Sequence, residues 1–247
     1  GRGLIARLRT EMEAPATEIA IETRAPAEVE PDSAAKRRKK MVRNLADAML
    51  NQRFSELAKK EGSPVMEAEA FNFEMFKFVK SSGVGAKCKP EKWKEAMALV
   101  EQELRRAVEH GFTKAEFEEA KATLLKGARL RAEQKDTRKN QSLADSLVQS
   151  LAAEQVYTAP EDDLKRVTAE LATITAEESA AALRSAWKSE DISIFVGGNV
   201  KIEDAEKTII ATFKESRQKP VEAPKQEAEV KFAYTDFGTP GKVAKRD

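Results

Sequence analysis

The sequence has very little of the chemistry that most catalytic sites use. Among its 247 residues there is one histidine, His110, and one cysteine, Cys88. A single cysteine excludes an internal disulfide framework. A catalytic zinc needs about three protein ligands, and the zinc-protease signatures place two histidines and a glutamate close together on one helix. The sequence therefore predicts no complete zinc site within this chain.

An excess of charge of one sign is also missing. Lys and Arg number 43, Asp and Glu number 42, and the net charge is +1. Dedicated nucleic-acid-binding proteins carry a clear positive excess, so this balance argues against that class. No apolar run approaches the roughly 20 residues that a membrane-spanning helix needs. What is present is a globular composition, 41% hydrophobic and 34% charged, in a chain long enough to bury a core.

The first third of the chain reads as a strand, a long helix and further strands. Residues 18–22 alternate polar and apolar side chains, which is typical of a strand. Asp32 and Ser33 favour the start of a helix that runs to about Glu61, with Val42, Leu45, Met49 and Leu57 on its buried side. Residues 65–88 follow as strands. Their alternation changes parity after residue 75, which indicates a turn or bulge, and residues 81–83 read as a break.

The remainder is mostly helical. Residues 90–187 carry helical spacing, with capping boxes at Thr113 with Glu116 and at Thr175 with Glu178. A compact strand at 192–196 and a helix ending near Phe213 follow. Because strands and helices are segregated, we predict an α+β fold, a small and mostly antiparallel sheet with helices packed on one face.

The composition divides the chain into three segments. Residues 1–13 read as a short lead-in, and residues 14–213 as the α+β unit. Residues 214–247 begin with a linker rich in Pro, Lys, Glu and Gln and continue with a strand pattern at 230–236. We expect this last segment to lead into a following unit.

Three features invite a functional reading, and each has a simpler structural one. His110 lies beside Gly111 at a predicted helix end, where a histidine serves the last helix carbonyls. Cys88 has a lysine on either side, but neighbours in a strand point to opposite faces, which favours a structural thiol. The basic run 36–40 resembles a nucleic-acid patch. Glu28, Glu30 and Asp32 lie just before it, so a locally neutralised surface is the expectation and nucleic-acid binding the lesser alternative.

Several stretches together resemble the insulinase/pitrilysin-type zinc peptidases. Residues 46–57, ADAMLNQRFSEL, resemble the family's helix MLN-x-R-[LF]-x-E-L. Residues 110–117, HGFTKAEF, resemble its H-G-[FLV]-T-x-x-E-[LF] join, which precedes a helical hairpin. Residues 192–198 resemble the closing strand of the unit. Residues 237–241, FGTPG, resemble the junction into the next unit of long bacterial members, so the resemblance spans about residues 17–241.

The resemblance implies a repeated α+β unit that pairs with others into a clamshell around a chamber. In that family one unit carries the inverted zinc motif His-x-x-Glu-His, which this sequence lacks. A partner unit in many members supplies an Arg and a Tyr seven residues apart, and alignment on Leu57 puts Ala58 and Val65 at those places. The chain therefore resembles an inactive second unit, with no catalytic, cofactor-binding or metal-binding residue of its own.

The function implied is that of a non-catalytic structural unit of a zinc metalloendopeptidase. Such a unit completes the substrate chamber and supports a separate zinc-bearing unit, in the same chain or in a partner subunit. The zinc is expected in that partner and the peptide substrate in the shared chamber, with no nucleic acid and no membrane span. The alternative is a stand-alone interaction or assembly scaffold of the same fold. The expected compartment is the bacterial periplasm or cytoplasm, and the resemblance favours the periplasm.

Overall fold

The computed structural model describes residues 3–27, 29–75 and 77–225, and the predicted α+β class is confirmed there. The described strands form one five-stranded sheet in the order β1-β5-β2-β4-β3. Its strands are β1 Ile5–Thr10, β2 Thr17–Pro26, β3 Glu67–Met75, β4 Val79–Cys88 and β5 Ile192–Gly198. The helices are α1 Ala34–Ala58, α2 Trp93–His110, α3 Lys114–Glu133, α4 Asn140–Ala152, α5 Pro160–Leu171, α6 Ala176–Ala186 and α7 Ala205–Gln218. The predicted strand 230–236 and junction 237–241 lie outside the described residues.

The sheet is mostly antiparallel, as predicted, but one of its edges was not foreseen. Strands β2–β4, β2–β5 and β3–β4 pair antiparallel, whereas β1 pairs with β5 in parallel. Residues 5–10, which the sequence analysis assigned to a lead-in segment, are therefore part of the sheet. Ala6 is 1% exposed while Arg7 and Arg9 are exposed. Because these arginines interrupt the apolar residues, the segment contains no apolar run and was not predicted as a strand. At the other end, α7 extends to Gln218, beyond the predicted boundary at 213.

The turn predicted after residue 75 is confirmed, but the break predicted at 81–83 is wrong. Strand β3 ends at Met75 and β4 runs without interruption from Val79 to Cys88. Gly83 lies inside β4 because the Phe71 ring of the neighbouring strand lies over it, and a Cβ at this position would collide with the ring. A glycine within a strand here marks a close approach rather than a chain break.

Helices cover one face of the sheet. Ile19, Ile21, Val84 and Ile194 point to that face and are at most 2% exposed. They pack in one core with residues of α1 and α2, among them Phe54, Met97 and Val100. A second cluster joins α1 to α3 and α5 through Met49, Phe117 and Val167, with their neighbours. The predicted stripe of α1 is buried at Val42, Leu45 and Met49, and half-buried at Leu57.

Both predicted capping boxes are confirmed. The Thr113 hydroxyl accepts from the Glu116 amide while the Glu116 carboxylate accepts from the Thr113 amide, which starts α3. Thr175 and Glu178 do the same for α6. Ser33 caps α1 by accepting from the amide of Lys36. These local bonds satisfy helix amides that would otherwise lack partners, which is why helix starts were readable from the sequence.

A buried arginine ties the first three helices together. The side chain of Arg53, on α1, is 8% exposed and pairs with Glu103 of α2 at 3.2 Å and with Glu116 of α3 at 3.0 Å. It also donates to the Gly111 carbonyl at 2.9 Å, and its guanidinium stacks over the Phe112 ring at 4.9 Å.

Arg53, Glu103, Glu116 and the Gly111 carbonyl together form what we call the Arg53 cluster. This cluster also accounts for the α2–α3 turn. Gly111 has a φ of 72°, a conformation that favours glycine, and this turn presents its carbonyl to the arginine. Both carboxylates compensate the buried charge. Burial opposes the ionisation of Glu116, but its hydrogen bonds with Arg53 and Thr113 leave its pKa below the usual value. One guanidinium therefore holds three helices and a turn in a single arrangement.

We predict that Arg53→Gln strongly destabilises the fold. Removing the guanidinium leaves two buried carboxylates without their common partner, which costs about 3–5 kcal/mol of unfolding free energy for a buried pair. Urea denaturation followed by circular dichroism measures the loss. Arg38→Gln is the matched control, because Arg38 also lies on α1 and pairs with a glutamate, Glu178, but at 35% side-chain exposure. Its cost should stay below about 1 kcal/mol, and equal losses would contradict the prediction.

Candidate interaction surfaces

The face of the sheet opposite the helices carries no described helix and has a mixed polar and apolar surface. In β2 the inward residues Ile19 and Ile21 alternate with Glu18, Ala20 and Glu22, which therefore face outward. The strand register extends this alternation across the sheet. One row contains Phe195, Ala20, Gly85 and Glu69, and the next contains Glu18, Lys87 and Glu67. We call this surface the open face.

A groove of about 430 Å³ lies on the open face. Ala20 and Gly85 form its floor, and the rings of Phe71 and Phe195 lie on either side. The Phe71 ring leans over Gly83, and the Phe195 ring leans over Gly197, where a Cβ would lie 2.6 Å from the ring. The glycines thus let both rings lie flat along the sheet. Phe195 remains 38% exposed, so an apolar surface is available to a ligand.

The rim of the groove carries more negative than positive charge. Lys87 forms an ion pair with Glu67 at 3.3 Å. Glu67 raises the pKa of Lys87, and the nearby charges of Glu18 and Glu69 act in the same direction. Three carboxylates therefore surround one ammonium group, and an additional cation would be favoured there.

A second groove of about 330 Å³ continues the first towards β1. The two share Glu18, Lys87 and Phe195, and the second also contains Arg9 and Glu11. Because the lining is shared, the two grooves form one trough across the sheet. Its β3 end is acidic, and its β1 end has an arginine.

Helix α4 is a second exposed surface, with a different character. None of its residues is buried. Leu143, Leu147 and Leu151 recur at four-residue intervals on one side, and Leu147 and Leu151 are 40% and 77% exposed. Of its 13 residues only Asp145 is charged, in a chain that is 34% charged. An exposed apolar stripe without charge is typical of an interface.

His110 has a partner that the sequence did not predict. Its Nε2 lies 3.0 Å from the carbonyl oxygen of Val221 rather than serving the last carbonyls of its own helix. Because a carbonyl only accepts, Nε2 carries the proton. Arg105 donates to the Lys219 carbonyl at 2.7 Å and Arg106 to the Glu222 carbonyl at 3.0 Å. Residues 219–222, which lie within the predicted linker from residue 214, are thus bound along α2, and His110 makes one of these bonds.

Cys88 is a core residue. It is 0% exposed, and burial raises the pKa of its thiol to about 11. A thiol in that state is neither accessible nor ionised near neutral pH. The geometry supports the structural interpretation of Cys88, since the flanking Lys87 is exposed on the other face of the sheet.

The basic run is neutralised locally, as predicted. Arg37 pairs with Asp32, Lys39 with Glu30 at 3.2 Å and Arg38 with Glu178 at 2.8 Å. Glu178 was not foreseen, since it lies on α6, and Glu28 is outside the described residues. The Asp32–Arg37 pair also fastens the loop before α5. Asp32 accepts from the Val156 amide at 3.0 Å, and Arg37 donates to the Thr158 hydroxyl at 2.9 Å.

The described residues do not fit a zinc site. Within residues 3–27, 29–75 and 77–225, no group of three or more His, Cys, Asp or Glu side chains is placed to hold a metal ion. His110 is engaged with a carbonyl and Cys88 lies in the core. Ala58 and Val65, at the places aligned with the family's Arg and Tyr, pack on the main core rather than on the open face. Neither side chain can donate a hydrogen bond.

The fold and the surfaces define a one-sided α+β unit, and part of its sequence matches a known family model. Residues 17–124 match the sequence model of the Peptidase M16 inactive domain. This segment contains two of the four stretches that resemble the insulinase/pitrilysin-type peptidases, residues 46–57 and 110–117. The resemblance is therefore confirmed, and the model that matches is that of the inactive domain. A search of curated proteins gave no match.

Several solved structures share the fold of this chain. The first half of the periplasmic protease PqqL from Escherichia coli superposes with a TM-score of 0.79 at 19% identity, over 92% of this chain and 49% of that one. A predicted insulinase family protease from Yersinia pestis gives 0.72 at 14% identity, over 87% and 46%. A peptidase M16 inactive domain from Pseudomonas fluorescens gives 0.57 at 14% identity, over 81% and 44%.

These structures extend beyond the region that this chain covers. The chain spans 49% of the PqqL half and 26% of the complete PqqL structure. Identities of this size support the fold alone. Within the described part of the chain, no helix is long and apolar enough to cross a membrane.

We predict that Cys88 does not react with a thiol reagent in the folded protein. Its thiol is buried and its pKa is about 11, so the reagent cannot reach the thiol and the thiol is not ionised near neutral pH. Colour development with 5,5′-dithiobis(2-nitrobenzoate) at pH 8 should be absent in buffer and complete in 6 M guanidinium. Rapid stoichiometric reaction without denaturant would show that this strand is open to solvent.

We predict a pH-dependent contribution from Asp32. Its hydrogen bonds with Arg37, together with the Val156 amide, lower its pKa to about 2, below the unfolded value of roughly 3.9. A lowered carboxylate pKa stabilises the fold above pH 4, and the contribution is lost as pH falls towards 2. The unfolding free energy of Asp32→Asn should therefore lie below that of the parent at pH 6, and the difference should shrink between pH 4 and pH 2.5. A difference independent of pH would contradict this assignment.

Proposed function

We propose that this chain is a non-catalytic structural unit of a zinc metalloendopeptidase. In this role it completes the substrate chamber and supports a separate zinc-bearing unit, in the same chain or in a partner subunit. The single observation that carries the proposal is the match of residues 17–124 to the Peptidase M16 inactive domain. The donor set described above, in which His110 and Cys88 lie apart in different surroundings, gives no reason to assign the metal to this chain.

The open face supports a role as a chamber wall. It is a broad sheet surface with a trough, and the helices that the structure describes occupy the opposite side. A wall that contacts extended peptide has to present apolar area and charge without a deep enclosed pocket. Phe71, Phe195 and the carboxylates at the rim supply that combination.

Helix α4 supports an association with another unit. Covering the exposed leucines Leu147 and Leu151 is favourable, and the desolvation cost is small because Asp145 is the single charged residue of α4. The size of the similar structures, of which this chain spans 49% or less, is consistent with a further unit being available. A periplasmic location is the favoured compartment, since one of these similar structures is a periplasmic protease.

The α4 stripe equally suits a stand-alone assembly scaffold, and the two functions are separable. The protein is purified from its native source, and the associated proteins and the complete reading frame are identified by mass spectrometry and sequencing. We expect a His-x-x-Glu-His motif in the same reading frame or in a co-purifying protein, and chelator-sensitive peptidase activity in that preparation. A complete gene and a set of partners without this motif would rule out the peptidase role.

We predict that Leu147→Gln combined with Leu151→Gln abolishes the association with the zinc-bearing unit. Both side chains are exposed, so the unfolding free energy of this chain should change by no more than about 0.5 kcal/mol per substitution. Gln149→Ala, on the same helix and also exposed, is the control and should bind normally. Size-exclusion chromatography and peptidase assays of the assembled protein measure the effect. Unaltered assembly of the double variant would show that α4 is not the contact.

A further inference from the structure

We propose that the open face binds an extended peptide segment of about six residues that carries a bulky apolar side chain next to a basic one. The inference deepens the proposed chamber role and rests on it for the source of the peptide. The binding itself is a property of residues in this chain, so it can be measured separately. The chemistry of the ligand follows from the length, the floor and the charge of the trough.

The length of the peptide follows from the sheet. The trough begins beside Glu67 and Glu69 on β3, crosses β4, β2 and β5, and reaches Arg9 on β1. Neighbouring strands lie about 4.8 Å apart, so the four intervals span roughly 19 Å. An extended chain advances about 3.3 Å per residue. About six residues therefore cover the distance.

The floor and walls select an apolar side chain. Ala20 and Gly85 leave a shallow depression between two aromatic rings, Phe71 and Phe195. A leucine or phenylalanine placed there removes its own surface and that of both rings from water. A polar side chain would lose water without gaining a partner on this floor.

The charge selects a basic neighbour. Glu67 is the ion-pair partner of Lys87, whereas Glu18 and Glu69 lie near the same ammonium group outside ion-pair distance. A lysine or arginine of the peptide balances the remaining negative charge, and an acidic side chain is repelled. At its far end the trough contains Arg9 together with Glu11.

One position of the sheet edge at the β3 end of the trough, Ala70, is already occupied, which favours binding on the face. The Asn51 side chain donates to the Ala70 carbonyl at 3.0 Å and accepts from the Ala70 amide at 2.6 Å. Ala70 lies on β3, the last strand of the sheet, so α1 uses the backbone groups that an added strand would need. A peptide therefore cannot extend the sheet at Ala70 without displacing α1.

The test uses the complete 247-residue chain and three fluorescein-labelled hexapeptides. Their central sequences are Lys-Leu-Lys, Glu-Leu-Glu and Lys-Gly-Lys, each with glycines outside, and binding is followed by fluorescence anisotropy. We expect the Lys-Leu-Lys peptide to bind at least tenfold more tightly than either of the others, and to weaken as salt is raised. Equal binding of the acidic peptide, or of the peptide without leucine, would overturn the proposal.

Two variants locate the binding on the open face. Ala20→Leu fills the floor from the solvent side and should reduce affinity at least tenfold. Glu18→Gln combined with Glu69→Gln should weaken the Lys-Leu-Lys peptide by about three- to tenfold, since exposed ion pairs each contribute modestly. Glu118→Gln combined with Glu133→Gln removes the same charge from exposed positions on α3 and should change nothing. Normal circular dichroism and unchanged affinity in Ala20→Leu would contradict the assignment.

The outcome can be separated from that of the proposed function. If the native preparation contains the zinc motif but the hexapeptides do not discriminate, the peptide site is wrong and the structural role stands. If the Lys-Leu-Lys peptide binds as expected but no zinc motif exists in the gene or its partners, the peptide site stands and the peptidase role is wrong.

Discussion

The Arg53 cluster is the interaction on which the rest of the structure depends. One guanidinium, almost without exposure, contacts a glutamate on α2, a capping glutamate on α3 and the carbonyl of the turn between them. Because a buried charge that loses a partner is strongly destabilising, these contacts support one another. The cluster therefore fixes the helix layer as a set. Two of the stretches that carry the family resemblance, residues 46–57 and 110–117, meet at this point, so their resemblance reflects one physical unit.

The helix layer in turn determines what the sheet can present. Two residues before Arg53, Asn51 binds the backbone of β3 at Ala70, and Phe54 enters the main core. Helix α1 is thereby held against the sheet on one side, and the opposite side is left without a described helix. The glycines of β4 and β5 then let Phe71 and Phe195 lie along that side. The trough is thus a consequence of packing on the far face as well as of its own residues.

Sequence reasoning reached the helices more completely than the sheet, for a physical reason. Capping boxes such as Thr113 with Glu116 act over three residues, so the signal and the structure lie together in the chain. Strand β1 was missed because its partner β5 lies far along the chain and its outward residues are arginines. Gly83 suggested a break because the ring that explains it belongs to another strand. The rows of the open face depend on the cross-strand register, and neither periodicity nor family motifs specify it for a single sequence.

Helix α4 and the open face differ in their chemistry, and the proposed role needs both surfaces. An apolar stripe with a single charge, as on α4, suits a contact that remains closed, because permanent interfaces are the more hydrophobic ones. The open face mixes aromatic rings with carboxylates, Lys87 and Arg9, and such surfaces bind and release ligands as charge and salt permit. A chamber wall has to hold its neighbour firmly and its peptide briefly. Placing the contact with little charge on a helix and the charged one on the free sheet face allows a single unit to meet both requirements.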